Sequence, residues 1–406
     1  MAARKFLLVT LPAGPFGRYL DRALRARGAR VRRVVMNGGE LFDWLSTEMD
    51  WFKGPRDSFS PWIEGRLRDG GYTDVVVFND VNPYSQEALH AARAMGLKTW
   101  ILENGYQRPD WITLETDGVN ARSGLPREAS AYDDADQLEP PADGPHIGGI
   151  APFHAFNTIA HYTLIVLFSP WMRGYRYPFT VSIHGQVFGH TRRYAVHLAT
   201  RAARERQAER VARQTPYFLI CLQREGDSQL MVHSDVKSNR AFLETVTASF
   251  AAHAPADARL VIKNHPLDPG LTDLERMAFQ IAASHGVQHR TSFLEGGHFA
   301  TLARGSEGVV AVNSTAALAA IGFGVPVKLL GRAFFDLPGL VDQQSLDAFW
   351  SAPVKPDHAL FTRFRRRMSV QTQIYGSYHN PRSLTGTAQR LAVRMLGETG
   401  ASGAVG

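Results

Sequence analysis

The sequence predicts an α/β protein built from two Rossmann-like domains. Its 406 residues are more than a single hydrophobic core usually fills. Both halves of the chain repeat the order strand, turn, helix, glycine, strand, which is typical of parallel βαβ units. The composition, 44% hydrophobic and 20% charged, is that of a globular protein and excludes a disordered or fibrous chain.

In the first half, short apolar runs alternate with segments of helical character. We expect strands at 5–11, 32–36, 75–79 and 98–102, and helices at 18–27 and 85–95 that are each followed by a glycine. Residues 116–145 are acidic and rich in Ala, Gly and Pro, which predicts a surface loop.

The second half restarts the same pattern. We expect strands at 217–222, 260–263, 307–312 and 325–330, and helices at 238–252, 271–285 and 315–323. The predicted domains are 1–150 (N-terminal), 151–214 (an apolar and basic linking segment), 215–345 (C-terminal) and 346–406 (a helical segment and tail). Because ligands bind at the carboxyl ends of parallel strands, a cleft between two such domains is the expected site.

The linking segment begins with an apolar stretch, residues 147–172, that contains no Asp, Glu, Lys or Arg. Three interpretations remain open: a buried core helix, a surface element that dips into lipid, and a membrane-spanning helix. The stretch contains Gly and Pro, which disfavour a span. Trp171 and the residues just after the stretch, Arg173, Tyr175, Arg176 and Tyr177, have the aromatic and basic composition found at membrane interfaces.

The net charge of +7, from 45 Lys and Arg against 38 Asp and Glu, favours an anionic partner. Residues 197–214 and 363–367 are rich in arginine and predict either solvated helix faces or contact with an anionic membrane surface. Nucleic acid is disfavoured because no nucleic-acid-binding motif occurs. A single cysteine, Cys221, excludes an internal disulfide and a cysteine-based metal site and predicts a reducing compartment.

Polar residues follow two strands of the second half directly. Asn313, Ser314 and Thr315 lie between a valine-rich strand and an alanine-rich helix, where a hydroxyl is an ordinary N-cap and also part of an anion site for a phosphate. Lys263 and His265 end another strand and, being two residues apart, point to one face. A cationic pair there suits a departing phosphate; the alternative is a loop histidine bonded to backbone.

Two further segments carry carboxylates and cations. Gln223 and Arg224 lead into a turn that contains Glu225 and Asp227, either of which could be a nucleophile or base or simply a polar turn residue. In the first half, Glu103, Arg108 and Glu115 lie after or near a strand end and predict the opposite, acceptor-side wall. No metal-ligand spacing occurs, so no metal and no cofactor are expected.

Taken in order, these motifs resemble the bacterial capsule polysaccharide biosynthesis family of the KpsS/LipB type. The matching segments are E-N-G-Y-Q-R-P-D-W-I-T-L-E, Q-R-E-G-D-S, K-N-H-P and V-N-S-T with a downstream G-V-P-V. The resemblance implies a GT-B-like fold and a glycosyltransferase that moves Kdo, an eight-carbon sugar acid, from CMP-Kdo to a lysophospholipid. The basic surface and the apolar middle segment predict peripheral attachment to anionic lipid, so the expected location is cytoplasmic, on the inner face of the inner membrane, with other capsule assembly proteins as expected partners.

The resemblance also assigns roles to residues. More distantly, the H-P and S-T segments are similar to those of two-domain bacterial sialyltransferases, which places His265 and Ser314/Thr315 at the CMP phosphate. Asp227 matches the nucleophile of related retaining Kdo transferases, whereas Glu225 keeps the alternative assignment open. Independently of the resemblance, Glu103 on the opposite wall is the expected acid/base that activates the acceptor hydroxyl. The rival functions are a transferase for another CMP-sugar acid such as sialic acid and a non-catalytic polysaccharide- or lipid-binding export factor.

Overall fold

A computed structural model describes residues 3–142, 144–147, 151–178, 182–214, 216–224, 234, 236–266 and 268–398. The chain forms two compact units. The N-terminal unit comprises Met1–Gly124, Glu139–Pro178 and Met368–Gly406, and the C-terminal unit comprises Leu125–Leu138 and Phe179–Arg367. The α/β class with two Rossmann-like units is confirmed.

The described part of the N-terminal unit contains a sheet of seven strands in the order β12-β6-β5-β4-β1-β2-β3. The strands are β1 (Lys5–Leu8), β2 (Arg30–Val35), β3 (Met49–Trp51), β4 (Asp74–Phe78), β5 (Lys98–Asn104), β6 (Trp111–Glu115) and β12 (Gln373–Tyr375). The strands from β1 to β5 pair in parallel, whereas β6 is antiparallel to both β5 and β12.

Helices cover both faces of this sheet. They are α1 (Phe16–Arg25), α2 (Gly38–Trp44), α3 (Phe59–Gly70), α4 (Pro83–Ala94), α5 (Ala151–Phe168) and α13 (Leu384–Leu396). Phe6 and Leu8 pack in one apolar cluster and Leu7 in another, because alternate side chains of a strand point to opposite faces. The sheet is therefore buried on both sides, as parallel sheets are.

The described part of the C-terminal unit contains a parallel sheet of five strands in the order β11-β10-β7-β8-β9. The strands are β7 (Tyr217–Cys221), β8 (Arg259–Lys263), β9 (Thr291–Leu294), β10 (Gly308–Ala311) and β11 (Val327–Leu329). The helices are α6 (Ile183–Ala212), α7 (Asn239–His253), α8 (Leu274–Ser284), α9 (Phe299–Arg304), α10 (Thr315–Gly322), α11 (Leu346–Phe349) and α12 (His358–Thr372), the last of which ends in the N-terminal unit.

Local signals explain the shifts between predicted and observed boundaries. The helix expected at 85–95 begins at Pro83, since the Asn82 side chain accepts a hydrogen bond from the Tyr84 N–H (3.0 Å) and proline suits a first helical position. The short strands β3, β6 and β12 were not predicted.

The two units divide the chain differently from the predicted domains. Residues 368–406 belong to the N-terminal unit because β12 pairs with β6 and because Gln373 bonds to two of that unit's residues. Its amide donates to Thr113 Oγ1 (3.0 Å) and accepts from the Tyr106 N–H (2.9 Å).

Residues 125–138 of the expected surface loop belong to the C-terminal unit, where Tyr132 is buried against Phe364. The arginine-rich stretch 363–367 pairs with this acidic loop. Arg363 lies 3.5 Å from Asp133, Arg366 lies 3.7 Å from Asp136, and Arg367 pairs with Asp134. These arginines are therefore engaged within their own unit, although exposed pairs of this kind add little stability.

Within the apolar stretch 147–172, Ala151–Phe168 form α5 and the residues that follow Phe168 form a turn. One side of α5 packs on α2, where a Cβ at Gly38 would clash with the Leu164 carbonyl and one at Gly39 with that of His161. The other side is exposed. No helix among the described residues is both long enough and apolar enough to cross a membrane.

Candidate functional site

The predicted donor-side residues lie at one edge of the C-terminal sheet. Strand register places Ala311, Cys221, Lys263 and Leu294 in one row across β10, β7, β8 and β9. Strands β7 and β10 are adjacent in space but distant in sequence, so the direction of strand order reverses between them. In open α/β sheets, ligands bind at the carboxyl ends of the strands at this reversal.

Gln223 and Asn313 meet at that point. The Gln223 Nε2 donates to Asn313 Oδ1 (2.6 Å), and the Gln223 carbonyl accepts from Asn239 Nδ2 (2.9 Å). Gln223 is 6% exposed, and its Oε1 has no hydrogen-bond partner among the described residues. A buried amide oxygen that accepts no hydrogen bond costs free energy unless a ligand, water or further residue donates to it. Gln223 Oε1 is therefore a candidate contact point for a polar group at the strand ends.

The start of α10 lies beside this pair. Ser314 is the N-cap, and its hydroxyl oxygen accepts from the Ala316 N–H (3.2 Å), so the cap predicted from sequence is present. Thr315 is the first helical residue. The capping bond uses the oxygen as an acceptor and leaves the hydroxyl proton to be donated, which together with the helix dipole suits an anion.

Lys263 is the last residue of β8 and is half-buried. Burial lowers its pKa, an effect that Cys221 and Glu295 oppose and Arg193 reinforces. The Cys221 thiol beside it is buried, and burial raises its pKa to about 12, so it stays neutral. The Lys263 ammonium is thus a partly desolvated cation at the strand ends, where a charge acts more strongly than in water.

The loop after Lys263 is fastened by residues that sequence reasoning missed. Glu295, which follows β9, accepts from Asn264 Nδ2 (2.8 Å) and from Arg193 Nη2 (2.6 Å). Arg193 also donates to the carbonyl of His265 (3.3 Å) and to Asp268 (3.3 Å). His265 is half-buried, and the hydrogen bond from Arg193 holds its backbone carbonyl in place. Glu295 could have been found from its place after a strand, but Arg193 comes from the middle of a long helix and carries no local signal.

The rest of the predicted donor-side segment is only partly described. Arg224 is half-buried and follows Gln223. Glu225 and Asp227 lie outside the described residues. The structure thus brings Gln223, Lys263, His265 and residues 313–315 to one edge.

The predicted acceptor-side residues belong to the N-terminal unit. Glu115 is buried: it accepts from Tyr106 Oη (2.8 Å), Ser123 Oγ (2.5 Å) and the Gly124 N–H (3.2 Å). Burial and the nearby Glu115 raise the pKa of Tyr106 well above its usual value. Glu115 is thus surrounded by donors of its own unit.

Glu103 and Arg108 are more accessible than Glu115. Glu103 is half-buried, and its carboxylate accepts from the Asn104 N–H (2.8 Å) and Asn120 Nδ2 (3.5 Å). Arg108 is exposed and donates to the Gly105 carbonyl (3.4 Å). A carboxylate that sequence reasoning missed, Asp80, follows β4, and burial raises its pKa.

No three His, Cys, Asp or Glu side chains of the described residues are grouped so that they could hold a metal ion. The C-terminal edge presents a cation, an imidazole, a hydroxyl-capped helix start and an amide pair. Groups of these kinds are suited to binding a phosphate and neutralising its charge.

Comparison with known proteins agrees with the motifs. The family model for capsule polysaccharide biosynthesis proteins matches residues 73–379. LipB, a capsule polysaccharide modification protein of Neisseria meningitidis, is 33% identical over 393 residues, which cover 93% of this chain and 92% of LipB. KpsS, a capsule polysaccharide export protein of Escherichia coli, is 30% identical over 391 residues, which cover 93% of this chain and 98% of KpsS.

Among solved structures, the β-Kdo 2,7 transferase KpsC of Thermosulfurimonas dismutans aligns with 97% of this chain and 100% of its own chain. The identity is 12% and the TM-score 0.46. The family resemblance predicted from the motifs is confirmed by the family model and the two relatives: the chain belongs to the capsule polysaccharide biosynthesis protein family.

Proposed function

We propose that the chain is a glycosyltransferase that moves Kdo from CMP-Kdo to a (lyso)phospholipid and so builds the linker of a capsule polysaccharide. The observation that carries this proposal is the carboxyl edge of the C-terminal sheet. There Lys263, His265 and the Ser314-capped start of α10 accompany the Gln223–Asn313 pair at the reversal of strand order. Membership of a capsule biosynthesis family supports the choice of product.

The donor presents two anions, and the predicted site residues include cations for both. Lys263, His265 and residues 314–315 neutralise the charge that develops on the phosphate of CMP as it leaves. The candidate partners for the Kdo carboxylate are Arg108, Arg224 and Lys263. The identification of the sugar acid as Kdo rests on the family resemblance.

The transfer proceeds by two displacements with retention of configuration. The Asp227 carboxylate attacks the anomeric carbon, and the bond from that carbon to the phosphate oxygen breaks with both electrons going to oxygen, so that CMP leaves. The acceptor hydroxyl then attacks the same carbon, its proton passes to Glu103, and the Asp227 carboxylate is released. Glu225 is the alternative nucleophile.

The proposed setting follows from the substrates. CMP-sugars are cytoplasmic donors, and a lipid acceptor lies in a membrane, which places the enzyme on the inner face of the inner membrane beside other capsule assembly proteins. The single, buried Cys221 is compatible with a reducing compartment.

A donor screen tests the proposal. With lysophosphatidylglycerol as acceptor, CMP release from CMP-Kdo is expected to exceed nucleotide release from CMP-sialic acid and UDP-sugars by about a hundredfold or more. Faster release from CMP-sialic acid identifies a different sugar acid. Donor or lipid binding without nucleotide release identifies a non-catalytic export factor and refutes the proposal.

The nucleophile has its own matched pair of variants. Asp227→Ala is expected to lower kcat by about a thousandfold or more, because the covalent intermediate cannot form. Glu225→Ala, two residues away, should lower it by less than about tenfold. The reverse order would transfer the role to Glu225, and full transfer by both Asp227→Ala and His265→Ala would overturn the mechanism.

A further inference from the structure

One face of α5 and of the turn that follows it is apolar and uncovered. Phe156 is 64% exposed, Ile159 63%, Leu167 58% and Trp171 73%. Phe156, Ile159 and Leu167 are spaced three and eight residues apart, which follows the helical repeat, so they form one stripe on α5, and Trp171 extends it in the turn that follows. The opposite side is occupied, since α5 packs on the glycines of α2. The stripe is thus a surface that the fold of its own unit leaves in contact with water.

The C-terminal end of the stripe opens into a groove of about 600 Å³. It is lined by Trp51, Lys53, Leu167, Phe168, Trp171 and Met172. The backbone segments that follow two of the lining residues, Lys53 and Met172, pack closely, because a Cβ at Gly174 would overlap the Gly54 carbonyl oxygen. The lining is apolar apart from the Lys53 ammonium, which lies 4.8 Å from the centre of the Trp51 ring. A chain of methylene groups with an anionic head has matching chemistry.

The charged residues of the turn after α5 and of the groove lining are all basic. The sequence contains no Asp or Glu between Asp143 and Glu205. Lys53, Arg173 and Arg176 are exposed at or near the groove. A second copy docking through the same face about a two-fold axis would bring these cations together, which opposes self-association. An anionic phospholipid surface offers apolar chains to the stripe and phosphates to the cations.

We propose that the exposed face of α5, together with the groove at Trp171, docks on an anionic phospholipid leaflet. Trp171 lies at the headgroup level, the apolar stripe reaches the acyl boundary, and Lys53 meets a lipid phosphate. This inference deepens the proposed function and rests on it for the claim that the acceptor is a lipid. It names the surface by which the enzyme reaches that lipid.

Vesicle binding by the full chain, measured without any sugar donor, tests the surface. The vesicles are phosphatidylglycerol/phosphatidylcholine mixtures, with pure phosphatidylcholine for comparison. Leu167→Gln/Trp171→Gln is expected to lower the partition coefficient by about tenfold or more, because two large apolar side chains no longer leave water. Both residues are exposed, so the variant should keep the circular dichroism spectrum and unfolding midpoint of the wild type.

Val354→Gln is the matched control, since Val354 is an apolar residue of the C-terminal unit with 54% exposure. It should bind vesicles as the wild type does. Lys53→Glu should weaken binding to anionic vesicles, and the binding of the wild type should fall as salt rises.

Equal binding by the wild type and the double variant overturns the inference. So does equal binding to anionic and neutral vesicles, or a Trp171-dependent dimer in solution. Because the measurement contains no donor, the two proposals fail separately. Vesicle binding without CMP release refutes the transferase proposal and supports the docking surface. CMP release, together with vesicle binding that is unaltered in the double variant, supports the transferase and refutes the docking surface.

Discussion

Each sheet has a point at which strand order reverses, and the two points are built differently. In the N-terminal sheet this point lies between β1 and β4, where the Thr10 and Ser85 hydroxyls are 2.8 Å apart and the Phe78 N–H donates to Thr10 Oγ1 (2.9 Å). In the C-terminal sheet, Gln223 Oε1 lacks a hydrogen-bond partner among the described residues, and Lys263 is a partly desolvated cation.

The difference indicates which edge has polar groups that stabilise the fold and which has polar groups available to a ligand. Buried polar groups that pair with each other stabilise the protein in which they lie. A polar group that the fold leaves unsatisfied, or a charge that it desolvates, costs free energy, and such groups concentrate at functional sites. On this reasoning the C-terminal edge is the expected donor edge, whereas Thr10, Ser85 and Glu115 hold the N-terminal unit together. Asp80 is the exception at the N-terminal edge, because its Oδ1 also lacks a hydrogen-bond partner among the described residues.

The largest expected effect concerns the donor edge. Lys263→Met and His265→Ala should each lower kcat/KM for CMP-Kdo by about 10²–10³-fold, because the departing phosphate loses a charge or a hydrogen bond in the transition state. Initial rates of CMP release measure it. Lys98→Met, which removes an exposed lysine at the start of β5, is the control and should leave the rate unchanged. Wild-type rates in both site variants would contradict the interpretation of this edge as the donor site.

A second prediction separates two carboxylates of the N-terminal unit. Glu115→Ala leaves Tyr106 Oη and Ser123 Oγ buried without their acceptor, so the free energy of unfolding should fall by about 2–4 kcal/mol. Glu103→Ala should lower kcat by about a hundredfold, since it removes the proposed base, and should change stability by less than about 0.5 kcal/mol. Urea unfolding and CMP release on both variants measure the two effects.

If Glu115→Ala lowers the rate and Glu103→Ala lowers the stability, the criterion that distinguishes buried, hydrogen-bonded carboxylates from accessible ones is wrong. An Asp80→Ala variant extends the comparison. Burial raises the pKa of Asp80, which accepts from the Val119 N–H (3.4 Å) and lies 3.6 Å from Arg122. Its Oδ1 has no hydrogen-bond partner among the described residues, as with Gln223 Oε1, so the same criterion expects Asp80→Ala to affect the rate more than the free energy of unfolding.

The motifs that sequence reasoning found are those that end a parallel strand. Gln223, Lys263 and Asn313 could be placed together in advance because parallel strands direct their carboxyl ends to one edge, and the observed register confirms that placement. What could not be predicted depends on distant partners. Arg193 reaches Glu295 across 102 residues, and Gln373 reaches Tyr106 across 267.

For a related reason, composition alone did not predict the partners of one arginine-rich stretch. The arginine-rich stretch 363–367 was interpreted as a solvated helix face or a membrane contact, whereas Arg363, Arg366 and Arg367 pair with the acidic loop more than 200 residues earlier. The acidic loop and the basic helix are each conspicuous in the sequence, but nothing local says that they meet. A charge run is a guide to a partner only when the run's own intramolecular pairs are known.

The smallest expected effect has the opposite sign to that of Glu115→Ala. Because burial lowers the pKa of Lys263 below its usual 10.5, the charged ammonium destabilises the folded chain at neutral pH. Between the lowered pKa and 10.5 the unfolded chain binds more protons, so the stability of the wild type rises with pH across that window. Lys263→Met should therefore raise the free energy of unfolding at pH 7 by about 1 kcal/mol or less, and this gain should shrink as the pH approaches 10.5. Urea unfolding of both proteins at several pH values measures it. A variant that is less stable than the wild type at pH 7 would mean that Lys263 holds the fold together, and the contrast between the two edges would then disappear.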